Sequence, residues 1–171
     1  MRYILLFCLL LQIACHSNPV SNDRFFDEID LGSSGSEKRL LIETYFDECG
    51  EWGGHREMMT IYAKRDMNFY LDYEKYRITC GSAYNDQKVE YKKTLKLDAS
   101  NKKSITEYIQ YMVNAKIVEH YPGHAGYTFN ILKSDSTLLI NVYSQDLSNI
   151  ESYQQLQKGL NLPITIVREE E

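Results

Sequence analysis

The chain reads as an α+β domain, a mainly antiparallel β-meander sheet with two helices packed on one face. Three observations predict it. Period-two alternation runs through successive segments between residues 40 and 97, as in half-buried strands. Two capping-box patterns, Ser104-Ile105-Thr106-Glu107 and Ser148-Asn149-Ile150-Glu151, each open an apolar stripe at helical spacing. Strands come in a run, then a helix, then a strand pair and a second helix, an order that puts helices on one face of an antiparallel sheet.

Each element has its own signal. Leu40, Ile42, Thr44 and Phe46 alternate with Glu43, Tyr45 and Asp47 in a first strand, and Met59, Ile61 and Ala63 mark a second. A turn at Arg65-Asp66-Met67-Asn68 leads to a third, from Phe69 to Thr79, with Phe69, Leu71 and Tyr73 on one face and Tyr70, Asp72, Glu74 and Tyr76 on the other. Val89, Tyr91, Leu95 and Leu97 keep one parity in a fourth. From Ser104, the residues Ile105, Tyr108, Ile109, Met112 and Ala115 predict a helix of about fourteen residues. The segment His120-Tyr121-Pro122-Gly123-His124-Ala125-Gly126 breaks it. Strands near 127–132 and 137–143 follow, then a helix carrying Ile150, Tyr153, Leu156 and Leu160. Ile164 to Val167 suggests a short last strand before the charged tail from Arg168.

The N-terminus carries an address. Arg2 precedes an apolar run from Ile4 to Leu11, and Gln12-Ile13-Ala14-Cys15 sets a small residue before a thiol. The run is half the length of about 20 residues that a membrane span needs, so a retained transmembrane helix is not expected. The first fifteen residues resemble those of bacterial lipoproteins. That resemblance implies cleavage of a signal peptide, 1–14, and acylation of Cys15. It thereby implies a chain held on a membrane outside the cytoplasm, in the bacterial cell envelope. Residues 15–38, with Asn18-Pro19 and Gly32-Ser33-Ser34-Gly35-Ser36, read as a lipid-anchored tether, and 39–171 as a single α+β domain. Phe25-Phe26-Asp27-Glu28-Ile29 is too apolar for a linker and is expected to dock on the domain or on a partner.

The charge balance of 19 basic to 24 acidic side chains, one step more negative once Arg2 is removed, disfavours nucleic acid as a partner. Fourteen tyrosines against six phenylalanines suit half-buried strands and partner surfaces. With Cys8 in the signal peptide and Cys15 acylated, Cys49 and Cys80 remain. In an oxidising compartment the pair predicts a disulfide, a metal-ligating pair and free thiols being the alternatives.

The densest constellation is Asp47-Glu48-Cys49-Gly50-Glu51-Trp52-Gly53-Gly54-His55-Arg56-Glu57, read as a wide hairpin loop. As a binding loop it would use Glu51, Trp52 and His55, with Tyr70 and Tyr76 as further binding candidates on the sheet. A protein or envelope component is the expected partner, without enzymatic activity; an inhibitor or immunity lipoprotein is one version. The alternative is a metal-binding, hydrolytic envelope protein built from Glu51, His55, His120 and His124, although no His-Glu-x-x-His helix is present. No catalytic residue and no cofactor are expected, because no nucleophile elbow, Ser-x-x-Lys pair or phosphate loop occurs. Carboxylate pairs such as Asp47 with Glu57 could in principle face each other across a first hairpin. The segment Glu48 to His55, with its distant second cysteine, also resembles small exported bacterial proteins. That likeness implies no activity.

Overall fold

The computed structural model describes residues 24–32, 38–66, 68–81, 87–119 and 126–167. In chain order the elements are α1 (Arg24–Glu28), β1 (Leu40–Phe46), a 3-10 turn (Gly50–Trp52), β2 (Gly53–Ala63), β3 (Phe69–Tyr76), β4 (Thr79–Cys80), β5 (Val89–Lys96), α2 (Ala99–Ile117), β6 (Tyr127–Lys133), β7 (Leu139–Ser144) and α3 (Leu147–Gly159). The strands form one seven-stranded sheet in the order β5-β3-β2-β1-β6-β7, with β4 on β2, and each of these pairings is antiparallel. The α+β prediction therefore holds. The meander builds outward from β1 through β2 and β3 to β5, and α2 carries the chain back so that β6 pairs with the free side of β1.

Parity sets the core. Along β1 every second residue, Leu40, Ile42, Thr44 and Phe46, is buried. The register places Met59, Ile61, Leu71, Tyr73, Phe129 and Ile131 on the same face. Ile105, Tyr108, Ile109 and Met112 of α2 and Ile150, Tyr153 and Leu156 of α3 close that face into one cluster. Among the described residues the opposite face carries no helix. It is covered by its own long side chains, with Arg56 over the Tyr76 ring at 4.2 Å and Lys64 over that of Tyr70 at 3.8 Å. Among the described residues no helix is long and apolar enough to cross a membrane.

Several boundaries differ from the sequence reading, for local reasons. α2 starts five residues before Ser104. Asp98 is the N-cap, and Asp98 and Asn101 exchange the reciprocal bonds of a capping box at 2.8 and 3.2 Å. α3 is likewise capped by Asp146, whose carboxylate accepts from the Ser148 amide at 2.9 Å, and not by Ser148 itself. The third strand ends at Tyr76, where a bulge shifts the register, and Thr79–Cys80 pairs separately with Gly53 and Gly54. Residues 163–167 form no strand. Phe26 and Leu31 dock on the domain, with Phe26 2% exposed and its ring 5.1 Å from that of Phe69. The apolar segment thus packs against the sheet end where β3 begins.

Candidate functional site

Cys49 and Cys80 form a disulfide across 31 residues. It ties the β1–β2 connection to β4, and the surrounding backbone is bonded at each step. The Cys49 amide donates to Gly53 O at 3.0 Å, the Trp52 amide to Cys49 O at 3.2 Å, and the Gly81 amide to Trp52 O at 2.6 Å. Gly50, at φ 58°, supplies the left-handed residue that lets so short a turn close. Trp52 stands out from this pinned frame, 74% exposed, with Glu51 beside it also exposed.

The C-terminal part of the expected loop is strand. β2 begins at Gly53, so His55, Arg56 and Glu57 are strand residues, and period two turns His55 and Glu57 inward with Met59 and Ile61. Gly54 makes this possible, because a Cβ there would overlap the Phe46 carbonyl oxygen of β1. The register pairs Glu57 with Thr44, so Asp47 and Glu57 do not face each other.

His55 and Glu57 lie within a buried charge network. Glu48 staples His55 twice: one carboxylate oxygen accepts the His55 backbone amide at 3.0 Å, and the other bonds the ring at Nδ1. On its far side, His55 Nε2 reaches Glu57 Oε1 at 3.1 Å. Glu57 is fully buried. Its Oε2 accepts from the Tyr73 hydroxyl at 2.8 Å, the Tyr153 hydroxyl at 2.9 Å and Gln157 Nε2 at 2.8 Å. Its Oε1 accepts from the Thr165 hydroxyl at 2.5 Å and lies 3.3 Å from Lys75 Nζ. β2, β3, α3 and the 162–167 segment all converge on this one carboxylate. Phe46 stacks on the imidazole with centroids 4.6 Å apart.

The electrostatics follow from these partners. Burial on its own would push the Glu57 carboxyl upward, but the bonds from His55 and Thr165 and the Lys75 charge outweigh it and hold the group below its ordinary value. Burial would likewise lower His55, yet its bonds to Glu48 and Glu57 raise it above 6.5. Glu48, pushed up by burial, is pulled down further by His55. The imidazole, between two carboxylates, therefore holds its second proton more tightly than a free histidine does. Tyr73, buried beside Glu57, is raised as a phenol and stays a donor.

The sequence-expected site residues are thus split. Glu51 and Trp52 stand on the outer rim of the loop. His55 is 2% exposed in the interior, with both ring nitrogens engaged by carboxylates. Tyr70 and Tyr76 lie on the open sheet face, Tyr76 donating to Glu74 at 2.9 Å. His120 and His124 lie outside the described residues. Among the described residues no three His, Cys, Asp or Glu side chains converge in a way that would hold a metal ion. Tyr73, Lys75, Tyr153, Gln157 and Thr165 were absent from the sequence-level site. The unbroken parity of His55, Glu57, Met59, Ile61 and Ala63 is the signal that places Glu57 on the core face. Comparison with protein-family models, with curated proteins and with solved structures finds no match for this chain.

Proposed function

We propose that the chain is an exported lipoprotein, anchored through Cys15, that binds a protein or another envelope component through the rim of its disulfide-pinned loop and performs no chemistry there. One observation carries the reading: the single tryptophan of the chain is held outward on a segment that is otherwise fixed by covalent and backbone bonds. A rigid, exposed indole offers a large contact area at little cost in conformational entropy on binding, which is the character of an interface anchor. The buried acid and imidazole support the same reading. A general base must come within hydrogen-bond reach of a substrate proton, and Glu57 and His55 spend their bonding capacity inside the protein. Their work is to hold the loop and the layers behind it.

The test uses Trp52→Ala together with a photoreactive side chain at position 51 in cells. The parent chain is expected to give a discrete crosslinked adduct, and Trp52→Ala to abolish it with the melting temperature unchanged. A melting temperature that falls in step with the adduct would make Trp52 a folding residue and end the proposal.

A further inference from the structure

The sheet ends on two strands of opposite character. β5, at one edge, carries Glu90, Lys92, Lys93 and Lys96, the kind of charged surface that keeps an edge from pairing further. β7, at the other edge, reads Leu139-Ile140-Asn141-Val142-Tyr143-Ser144, and residues 136–145 hold neither a charge nor a proline. The ladder defines its outer side. The Leu138 carbonyl accepts from the Lys133 amide at 3.0 Å, so 138, 140 and 142 turn their backbone groups toward β6, and 139, 141 and 143 turn theirs outward. At the end of this row the Tyr143 amide donates to the Glu119 carboxylate at 2.6 Å, a side chain standing where the carbonyl of a further strand would lie. Leu139 and Asn141 are exposed, and among the described residues no backbone group meets their outward N–H and C=O. Apolar surface flanks the row: Leu139 is 72% exposed, and Ile117 and Val118, immediately before Glu119, are exposed as well. The charged groups around the edge are engaged, Glu119 by Lys116, Asp135 by Lys133 and Asp146 as the α3 cap.

We infer that β7 pairs antiparallel with β7 of a second copy of this chain, about a two-fold axis at Asn141. The strand is self-complementary in that register. Leu139 lies opposite Tyr143 of the second copy, Ile140 opposite Val142 and Asn141 opposite itself, so apolar side chains meet apolar ones on both faces and no like charges are opposed. The outward residues meet as hydrogen-bonded pairs: two bonds join the Asn141 pair, and on each side a Leu139 amide reaches a Tyr143 carbonyl. The Glu119 carboxylate yields the Tyr143 amide to the Leu139 carbonyl of the second copy and stays paired with Lys116. A register moved by two residues would set the Asn141 amide against Leu139 or Tyr143. On β5 the same operation would bring Lys92 and Lys93 against each other or against themselves, which the like charges oppose.

The experiment uses the full chain as cells make it, with cysteines introduced one at a time under mild oxidation. Hydrogen-bonded antiparallel partners have Cα atoms about 5.5 Å apart, within the reach of a disulfide. Asn141→Cys is expected to give a linked dimer in which mass spectrometry finds position 141 joined to position 141, with the Cys49–Cys80 bond retained. Leu139→Cys and Tyr143→Cys should each link several-fold less when alone and should link to one another when mixed. Glu90→Cys, exposed on the other edge, sets the level of collisional crosslinking. Asn141→Lys, which places two like charges on the axis, should turn a dimer into a monomer in analytical ultracentrifugation while far-ultraviolet circular dichroism stays unchanged. A parent chain that sediments as a monomer, or Asn141→Cys linking no faster than Glu90→Cys, would overturn the inference. So would an Asn141→Cys adduct with a different protein in place of a second copy.

Discussion

A carboxylate taken into an apolar interior loses hydration worth several kcal/mol, and Glu57 recovers it through bonds from four separate parts of the chain. Every donor is aimed at an anion. Glu57→Gln keeps the shape but removes the charge that His55 and Lys75 face, and it turns an amide N–H₂ toward some of these donors. We expect a loss of about 3–5 kcal/mol in urea unfolding. Tyr73→Phe, which removes one donor of several, should cost about 1 kcal/mol. Trp52→Ala should stay within about 0.5 kcal/mol of the parent, because the indole is exposed. If Glu57→Gln proved as mild as Trp52→Ala, the network would not organise the core.

At the scale of elements, the disulfide and the Gly54 approach divide the work of holding the first hairpin. The chain-entropy model gives about 3–4 kcal/mol for closing a loop of this length. Replacing Cys49 and Cys80 by serine should remove that much, and hydrogen exchange at Gly53, Gly54 and Thr79 should accelerate more than exchange in β6 and β7. Uniform acceleration would mean that the bond acts on the unfolded chain alone. Gly54→Ala should be costly for a different reason, since its Cβ would force β1 and β2 apart at Phe46. The same glycines explain what the sequence could and could not disclose. The faces of β1 and β3 are legible because large apolar residues recur at every second position, Leu40, Ile42 and Phe46 in one and Phe69, Leu71 and Tyr73 in the other. In β2 the pair Gly53-Gly54 carries the composition of a turn, and the inward positions are filled by a histidine and a glutamate, so a strand reads as loop. Ser104 and Ser148 mimic helix caps, whereas the true caps are aspartates on the strand side of each helix. Gln157 and Thr165 could not be assigned to the network from sequence, because what joins them to Glu57 is the packing of α3 and not any local pattern.

For the whole molecule, the buried network links stability to pH on two sides. Glu48 and Glu57 have folded values below 4.5, so their contribution is complete above that value and is lost as pH falls through the lowered ones. His55 is raised above 6.5, so the folded state holds its proton more tightly than the unfolded chain does. Its contribution is complete below 6.5 and is lost as pH rises through the raised value. Both are intact only between about 4.5 and 6.5, where unfolding free energy should reach its plateau. Toward alkaline pH the decline is caused by removal of the proton that lets one imidazole donate to two carboxylates. His55→Gln should therefore lower the plateau and flatten the alkaline limb, while an acid limb persists because the Lys75 charge and the hydroxyl donors still favour ionised Glu57. The measurement is the urea midpoint at closely spaced pH values for both proteins, with the disulfide intact. An alkaline decline of equal slope in His55→Gln would move its origin away from this network. A flattened one would show that the layer behind the Trp52 loop is fastened by the doubly protonated imidazole of His55.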